Sequence, residues 1–439
     1  MISFALTTLD GGVRSRIACD DTAMRVQPRS CSTAFMNAPD SFPPTRAEGL
    51  RRLTAFVPHA GRAYAEGRNA DHGAGNHAAV SQLSPYLRYR LITEAEVVAA
   101  VLAVHKPAAA EKYVQEVLWR TYWKGWLELR PAAWTRFVTE RDAARDGAGA
   151  GGGLLKALAA AEGGTTGIDG FDDWARELVA TGYLHNHARM WFASIWIFTL
   201  CLPWTLGADF FLRHLIDADP ASNTLSWRWV AGLQTVGKTY LATADNIARY
   251  TGGRFAPTGL ATRAEALTEP PLGKAAALAD LPVPALGRAL LLITPDDMSA
   301  ETLSSSEFAA VVVARGDDCG DWPWGDAARK FITAAADDAA RRAGAAFGVA
   351  ATTIDTLDAA AIAAAARTAS VTTVVAVEAP IGPVADALAR CDAALAADGI
   401  RLVRRRREWD ATLWPLATKG YFAFRERTPE LLARGLLTA

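Results

Sequence analysis

Two short polar clusters flank an aromatic stretch in the middle of this chain. The segment 181–229 reads TGYLHNHARMWFASIWIFTLCLPWTLGADFFLRHLIDADPASNTLSWRW. His185, Asn186 and Arg189 open an apolar, tryptophan-rich helix, and Asp217, Asp219 and Asn223 lead into Trp227 and Trp229. Buried amides, carboxylates and guanidinium groups need partners. Beside a run of indoles they suit a redox-active planar cofactor better than packing alone. Asn186, Arg189 and Met190 stand at i, i+3 and i+4, so they share a helix face. Arg189 can take its counter-charge from Asp217 or Asp219, and Asn223 lies one turn beyond Asp219. A salt bridge that serves only the fold is the plain alternative for one such pair; the added amides weaken it.

A second constellation is Glu116, Trp119 and Arg120 in QEVLWRTYW, again at i, i+3 and i+4. Acid, indole and guanidinium on one face can stack a flat ring and hydrogen-bond its edge. An ordinary helix with a core tryptophan and a Glu–Arg pair at its rim would read the same way. Upstream, Tyr64 and Arg68 precede VSQLSPYL (80–87). There Ser81, Gln82, Leu83 and Ser84 offer hydroxyls and backbone amides at the start of a helix, which is either an anion site for a pyrophosphate or a simple cap.

These residues need a helical frame. Thr45 can cap a helix through Ala55, and Thr93 with Glu96 forms a capping box. Helices follow over Glu111–Leu129, Asp172–Ala180, Tyr183–Leu202, Gly207–Leu215 and Thr235–Tyr250, with the glycine-rich 147–153 as a surface loop. After about residue 260 the pattern changes. Apolar runs at 289–294, 309–314 and 372–379 alternate with Ala-rich helices at 329–346, 359–368 and 384–397, which predicts a parallel sheet between helices. No glycine-rich phosphate loop follows these strands. The expected fold class is α plus α/β: 1–40 disordered or a start-site extension, 41–260 all-helical, 261–288 a linker, and 289–439 a Rossmann-like α/β domain.

Composition bounds the partners. A net charge of −1 over 439 residues gives no global basic field, so a nucleic-acid surface must be local. The run Arg401, Arg404–Arg407 could be such a patch, although a solvated surface is the commoner outcome. Five scattered cysteines make no CxxC pair, and His185 and His187 fall on different helix faces. No metal site or disulfide framework is expected. The apolar run 190–204 is interrupted by Ser194, Thr199 and Pro203, and falls short of the ~20 residues of a membrane span. A cytoplasmic protein is expected.

Taken in order, these motifs resemble the photolyase/cryptochrome family. Its pattern of a Tyr, T-S-x-L-S, E-x-x-W-R, T-G-x-x-H-N-R-x-R-M and I-D-G-D-x-A-x-N-x-x-x-W-x-W is met by Tyr64, Val80–Ser84, Glu116–Arg120, Thr181–Met190 and Ile216–Trp229. The resemblance spans roughly 60–240. It implies an FAD-binding domain similar to that of photolyases for cyclobutane pyrimidine dimers. Tyr64, Arg68, Ser81, Gln82, Leu83 and Ser84 would lie on the phosphate side. Glu116, Arg120, Asn186, Arg189, Asp217 and Asp219 would hold the cofactor, with Asn223 at flavin N5. Glu116, Trp119, Met190 and Trp229 match substrate-binding positions. Trp204 and Trp227 match two members of an electron-transfer chain, with Trp134 a guess for the third.

The implied activity is that of a lyase: blue-light-driven DNA repair by electron transfer from reduced flavin. Photolyases are among the enzymes that flip their target base out of the stack, and unstacking is cheapest in damaged or single-stranded DNA. The implied partner is therefore UV-damaged DNA, single strands included. The alternative is a cryptochrome-like blue-light photoreceptor without repair activity.

Departures from the family pattern bear on the choice. Val80 replaces a threonine, and Thr121 stands where an acid often follows W-R. The segment after Trp229 is VAGLQTVGKTYLATADNIARYTGG, with Lys238 and Arg249 as candidate phosphate contacts. The family's α/β domain precedes its flavin domain; here the corresponding pattern is C-terminal, and it does not reveal an antenna chromophore.

Overall fold

The computed structural model describes residues 41–281, 287–303, 308–316 and 324–433. The expected extension over 1–40 lies outside the described residues. Thr45 caps the Arg46–Phe56 helix, its hydroxyl accepting from Glu48 N. The Thr93–Glu96 capping box starts the Glu94–Val104 helix. Pro107, whose missing N–H costs nothing in a first turn, starts the 22-residue Pro107–Glu128 helix.

Three helical expectations need correction. The stretch 147–153 is not a loop: the Ala132–Ala150 helix runs into it and the Gly152–Glu162 helix runs out of it. A Cβ added at Gly147, Gly149, Gly152 or Gly153 would meet nothing within 4 Å. These glycines therefore cost helix propensity, about 1 kcal/mol each, and no packing. The helix expected from Tyr183 starts at Asn186, because the His185 ring caps it, Nδ1 accepting from His187 N at 3.2 Å. It then widens into a π-turn over Ile195–Thr199. The helix expected from Thr235 forms only over Ala244–Tyr250, capped by Thr243. Before it the chain turns at Gly237, with φ +81°. The cysteine reading also needs one correction: Cys201 is disulfide-bonded.

The C-terminal sheet has five parallel strands: β1 Ala289–Ile293, β2 Phe308–Ala314, β3 Ala351–Ile354, β4 Thr373–Val377 and β5 Arg401–Arg405. Their order is β3-β2-β1-β4-β5. The two strands absent from the sequence reading, β3 and β5, are the edges. They are polar and partly exposed, so no apolar run marks them. Alternation along the buried strands feeds two cores. Leu291, Ile293, Val311, Val313 and Val375 join one continuous core with the Asp326–Phe347 helix and the helical region. Leu290, Leu292, Val312, Val374 and Ala376 pack under the Ala359–Thr368 and Pro383–Ala397 helices.

Strand order reverses between β1 and β4, where open α/β sheets usually keep a crevice at the strand C-termini. Here that place is filled by the helical region. Arg88 pairs with Asp296 just past β1, and Arg90 reaches Asp297. Glu128 accepts from Ile381 N, 2.6 Å away, past β4. The described part of the expected linker also lies on the helical region: Arg228 Nη1 donates to Glu269 at 2.7 Å and Leu267 N to Ala231 O at 3.0 Å.

Candidate cofactor and substrate site

The Pro220–Val230 helix organises the site. Asp219 is its N-cap, Oδ1 accepting from Ser222 N at 2.7 Å, and Pro220 occupies the first turn. Asp219, Asn223 and Trp227 then repeat at four-residue spacing and form one stripe. All three are buried. Asn223 Nδ2 donates to Ala208 O at 2.7 Å. Trp227 meets Phe211 edge-on at 5.2 Å and Trp196 at 6.2 Å.

The loop before this helix is tied to the His185 turn by Ile216 N donating to Gly182 O at 2.8 Å. That tie sets Asp217 opposite Arg189, whose Nη1 and Nη2 donate to its two oxygens at 2.9 and 2.8 Å. Arg189 Nε also donates to Leu184 O at 3.0 Å. Burial works against the Arg189 charge, but Asp217 outweighs it and holds the guanidinium pKa above its ordinary value.

The Pro107–Glu128 helix brings the second constellation to the same place. Arg120 Nη2 lies 3.0 Å from Asp219 Oδ2. This is a charge contact without hydrogen-bond alignment, since both atoms remain buried without a hydrogen-bond partner. Burial raises the Asp219 pKa; Arg120 and then Lys124 overcome it and keep the carboxyl below its ordinary value. One turn back along this helix, Glu116 pairs with Arg68 at a half-exposed position. Tyr64 is buried against Tyr113, with ring centroids 5.0 Å apart. Burial, and then Glu116, push its phenol pKa up.

Several expected site residues are less closely joined. Ser81, Gln82 and Leu83 precede a helix of only five residues, Ser84–Arg88, and Gln82 has φ +52°. Asn186 is exposed and Met190 half-buried on the Asn186–Ser194 helix. Trp229 stacks on Tyr240 at 5.6 Å, and Lys238 is exposed in the loop between them. Trp204 packs on Phe137 (5.7 Å), whose ring also meets Trp134 at 5.3 Å. Arg406 and Arg407 are no open basic patch, because they pair with Glu378 and Asp297. Among the described residues no helix is long and apolar enough to cross a membrane, and no group of His, Cys, Asp and Glu could hold a metal ion.

Arg120 Nε and Nη2 and Asp219 Oδ2 are buried without a hydrogen-bond partner, as are Ser222 Oγ and Trp227 Nε1 further along the helix. Native cores rarely leave such atoms unpaired. A ligand that offers both a donor and an acceptor would fit the Arg120 and Asp219 atoms.

Residues 113–255, which contain both constellations, match the family described as the FAD-binding domain of DNA photolyase. This region is related to the flavin-binding domains of DNA photolyases. The chain is 34% identical to the deoxyribodipyrimidine photo-lyase of Streptomyces griseus over 163 residues, 36% of this chain and 33% of that protein. It is 31% identical to an enzyme of the same name from Thermus thermophilus over 225 residues, 49% of each chain. Among solved structures, a class III photolyase from Agrobacterium tumefaciens aligns over 53% of this chain and 50% of its own, with 27% identity and a TM-score of 0.39. A Synechocystis cryptochrome aligns over 47% and 43%, with 22% identity and a TM-score of 0.38. The matched segments thus span a third to a half of these relatives.

Two groups of residues beside the candidate site had escaped the sequence reading. Asp71, His77 and Glu177 are buried beside His185, with His77 Nε2 3.8 Å from Glu177; an isolated His in a Gly/Ala-rich loop gives no signal of this. Tyr421 stacks on Trp119 from some 300 positions along the chain.

Proposed function

We propose that this chain binds FAD and uses blue light to repair cyclobutane pyrimidine dimers in DNA. The observation that carries the reading is the Arg120–Asp219 contact. It joins the helix of Glu116 and Trp119 to the stripe of Asp219, Asn223 and Trp227, which supports a reading in which a substrate-side face and a cofactor-side face would meet there.

Arg189, Asp217, Asp219 and Arg120 would hold the isoalloxazine and ribityl parts. Asn223 would present its amide to the ring, while Tyr64, Arg68 and Ser81–Ser84 would face the phosphates. When bound, FAD supplies light absorption and the electron that splits the dimer. The chain's own part is positioning. Glu116 would accept a hydrogen bond from a pyrimidine edge, and Trp119 would stack its face. Trp229, Met190 and Lys238 would complete the wall around an extruded dimer, and Trp204 and Trp227 would relay electrons to the cofactor. The buried surroundings of Trp227 exclude water from that route.

The test is a blue-light assay on a thymine-dimer oligonucleotide, single- and double-stranded, read against a dark control. Light-dependent recovery of thymine supports the reading. Glu116→Ala should cut repair at least about tenfold, the scale of a lost hydrogen bond to a charged group, and leave flavin photoreduction intact. Photoreduction without any repair by the parent chain would shift the function to a light sensor.

A further inference from the structure

Trp119 stands at a border on its helix. At about 100° per residue, Glu116 and Arg120 lie to one side of it and Gln115 and Tyr122 to the other. The Glu116 side is the candidate site. The Gln115 side is covered by the end of the C-terminal region. Tyr122 donates from its hydroxyl to Lys419 O at 3.0 Å, and Trp409 Nε1 donates to Thr121 Oγ1 at 2.9 Å. Gly125 lets the chain approach closely, since a Cβ there would sit 2.7 Å from Trp414 Cα.

From this covered side Tyr421 lies flat on Trp119. The ring centroids are 3.6 Å apart and the planes are 9° from parallel. The Tyr421 hydroxyl donates to Gln115 O at 2.9 Å, which fixes the ring along the stack. Tyr421 and Phe424 are both buried, and Tyr122 meets Phe424 at 5.5 Å. The stack is thus built into the core. Trp119 itself stays half-buried. One indole face is taken by Tyr421, Trp123 meets the indole from one turn on, with centroids 5.1 Å apart and planes 37° from parallel, and the rest of the ring keeps some exposure.

We propose that Tyr421 is a positioning residue for the substrate site: it backs the Trp119 indole so that the part of the ring left exposed is held ready to stack a pyrimidine. The C-terminal region would then complete a site whose other members all come from the helical region. This rests on the reading of Trp119 as a base-stacking residue. A tryptophan backed by a parallel ring loses little side-chain freedom on binding a base, and such preorganisation is a direct gain in affinity.

The experiment measures binding of a fluorescein-labelled, single-stranded oligonucleotide carrying one thymine dimer to the full, FAD-loaded chain, by anisotropy. Tyr421→Leu fills the space without a flat ring and should raise Kd about tenfold, the scale of one base–aromatic stack. Tyr421→Phe keeps the ring and should stay within about twofold of the parent. Flavin photoreduction and melting temperature check that each variant is folded. Should Tyr421→Leu not fold, Tyr421→His, a smaller flat ring, should give an intermediate Kd, and parental affinity there overturns the proposal. Trp119→Ala separates the two levels. If it loses binding while Tyr421→Leu does not, only the positioning role falls. If Trp119→Ala binds like the parent, the base-stacking reading falls and the role of Tyr421 with it.

Discussion

Glu177 is a carboxyl held where its charge is costly. Burial, and then the neighbouring Asp71, push its pKa up to about 8, and Arg254 offsets this only in part. The folded value lies above the ordinary 4.5, so the fold prefers the protonated acid. Stability from this group is fully present below pH about 4.5 and drains away as pH climbs toward about 8. His185 behaves oppositely: burial lowers its pKa to about 4, so its penalty arises as pH falls below 6.5. Between pH 6.5 and 8 only Glu177 of this pair is sloping. Glu177→Gln should therefore make the change in urea midpoint from pH 6.5 to 8 less negative than in the parent. Parallel slopes for parent and variant would refute this.

At the scale of elements, the Trp204–His214 and Pro220–Val230 helices cross closely because residue 207 is glycine. An added Cβ there would lie 2.6 Å from Trp227 Cζ3 and 2.8 Å from Trp196 Nε1. Gly207→Ala should cost about 1–3 kcal/mol through overpacking, read as a lower melting temperature; an unchanged value would mean that both indoles can shift. This crossing was only half legible in the sequence. Capped helices such as Arg46–Phe56 and strands such as β1 announce themselves through local pattern. The Arg189–Asp217 pair could be narrowed to two partners from spacing alone. The π-turn at Ile195–Thr199, the helical glycines near 150, and the polar edge strands carry no such signal, because neighbours distant in sequence decide them. Tyr421 is the clearest case: nothing in GYFAF says which ring it will meet.

Over the whole molecule, the joint between the helical region and the sheet is electrostatic at its centre. Arg90 is 1% exposed and donates through Nη2 to both oxygens of Asp410, at 2.7 and 2.6 Å. Its Nη1 approaches Asp297 at 3.3 Å and its Nε approaches Glu94 at 3.5 Å. Lys124 and Arg407 complete the group through Glu94 and Asp297, so three cations face three carboxylates. Removing one cation leaves buried charge uncompensated. Arg90→Met should destabilise by about 3–5 kcal/mol in chemical denaturation; a loss under about 1 kcal/mol would show that water or rearrangement repairs the gap. The same joint has a temporal side. Thr121, Tyr122 and Gly125 find their partners only at Trp409, Lys419 and Trp414. A ribosome emits the helical half first, and that half must wait until Trp409, Trp414 and Lys419 have been made before its long central helix is covered. Contacts so distant along the chain are slow to close, and in the interval the exposed indoles and tyrosines of that helix are natural clients for chaperones.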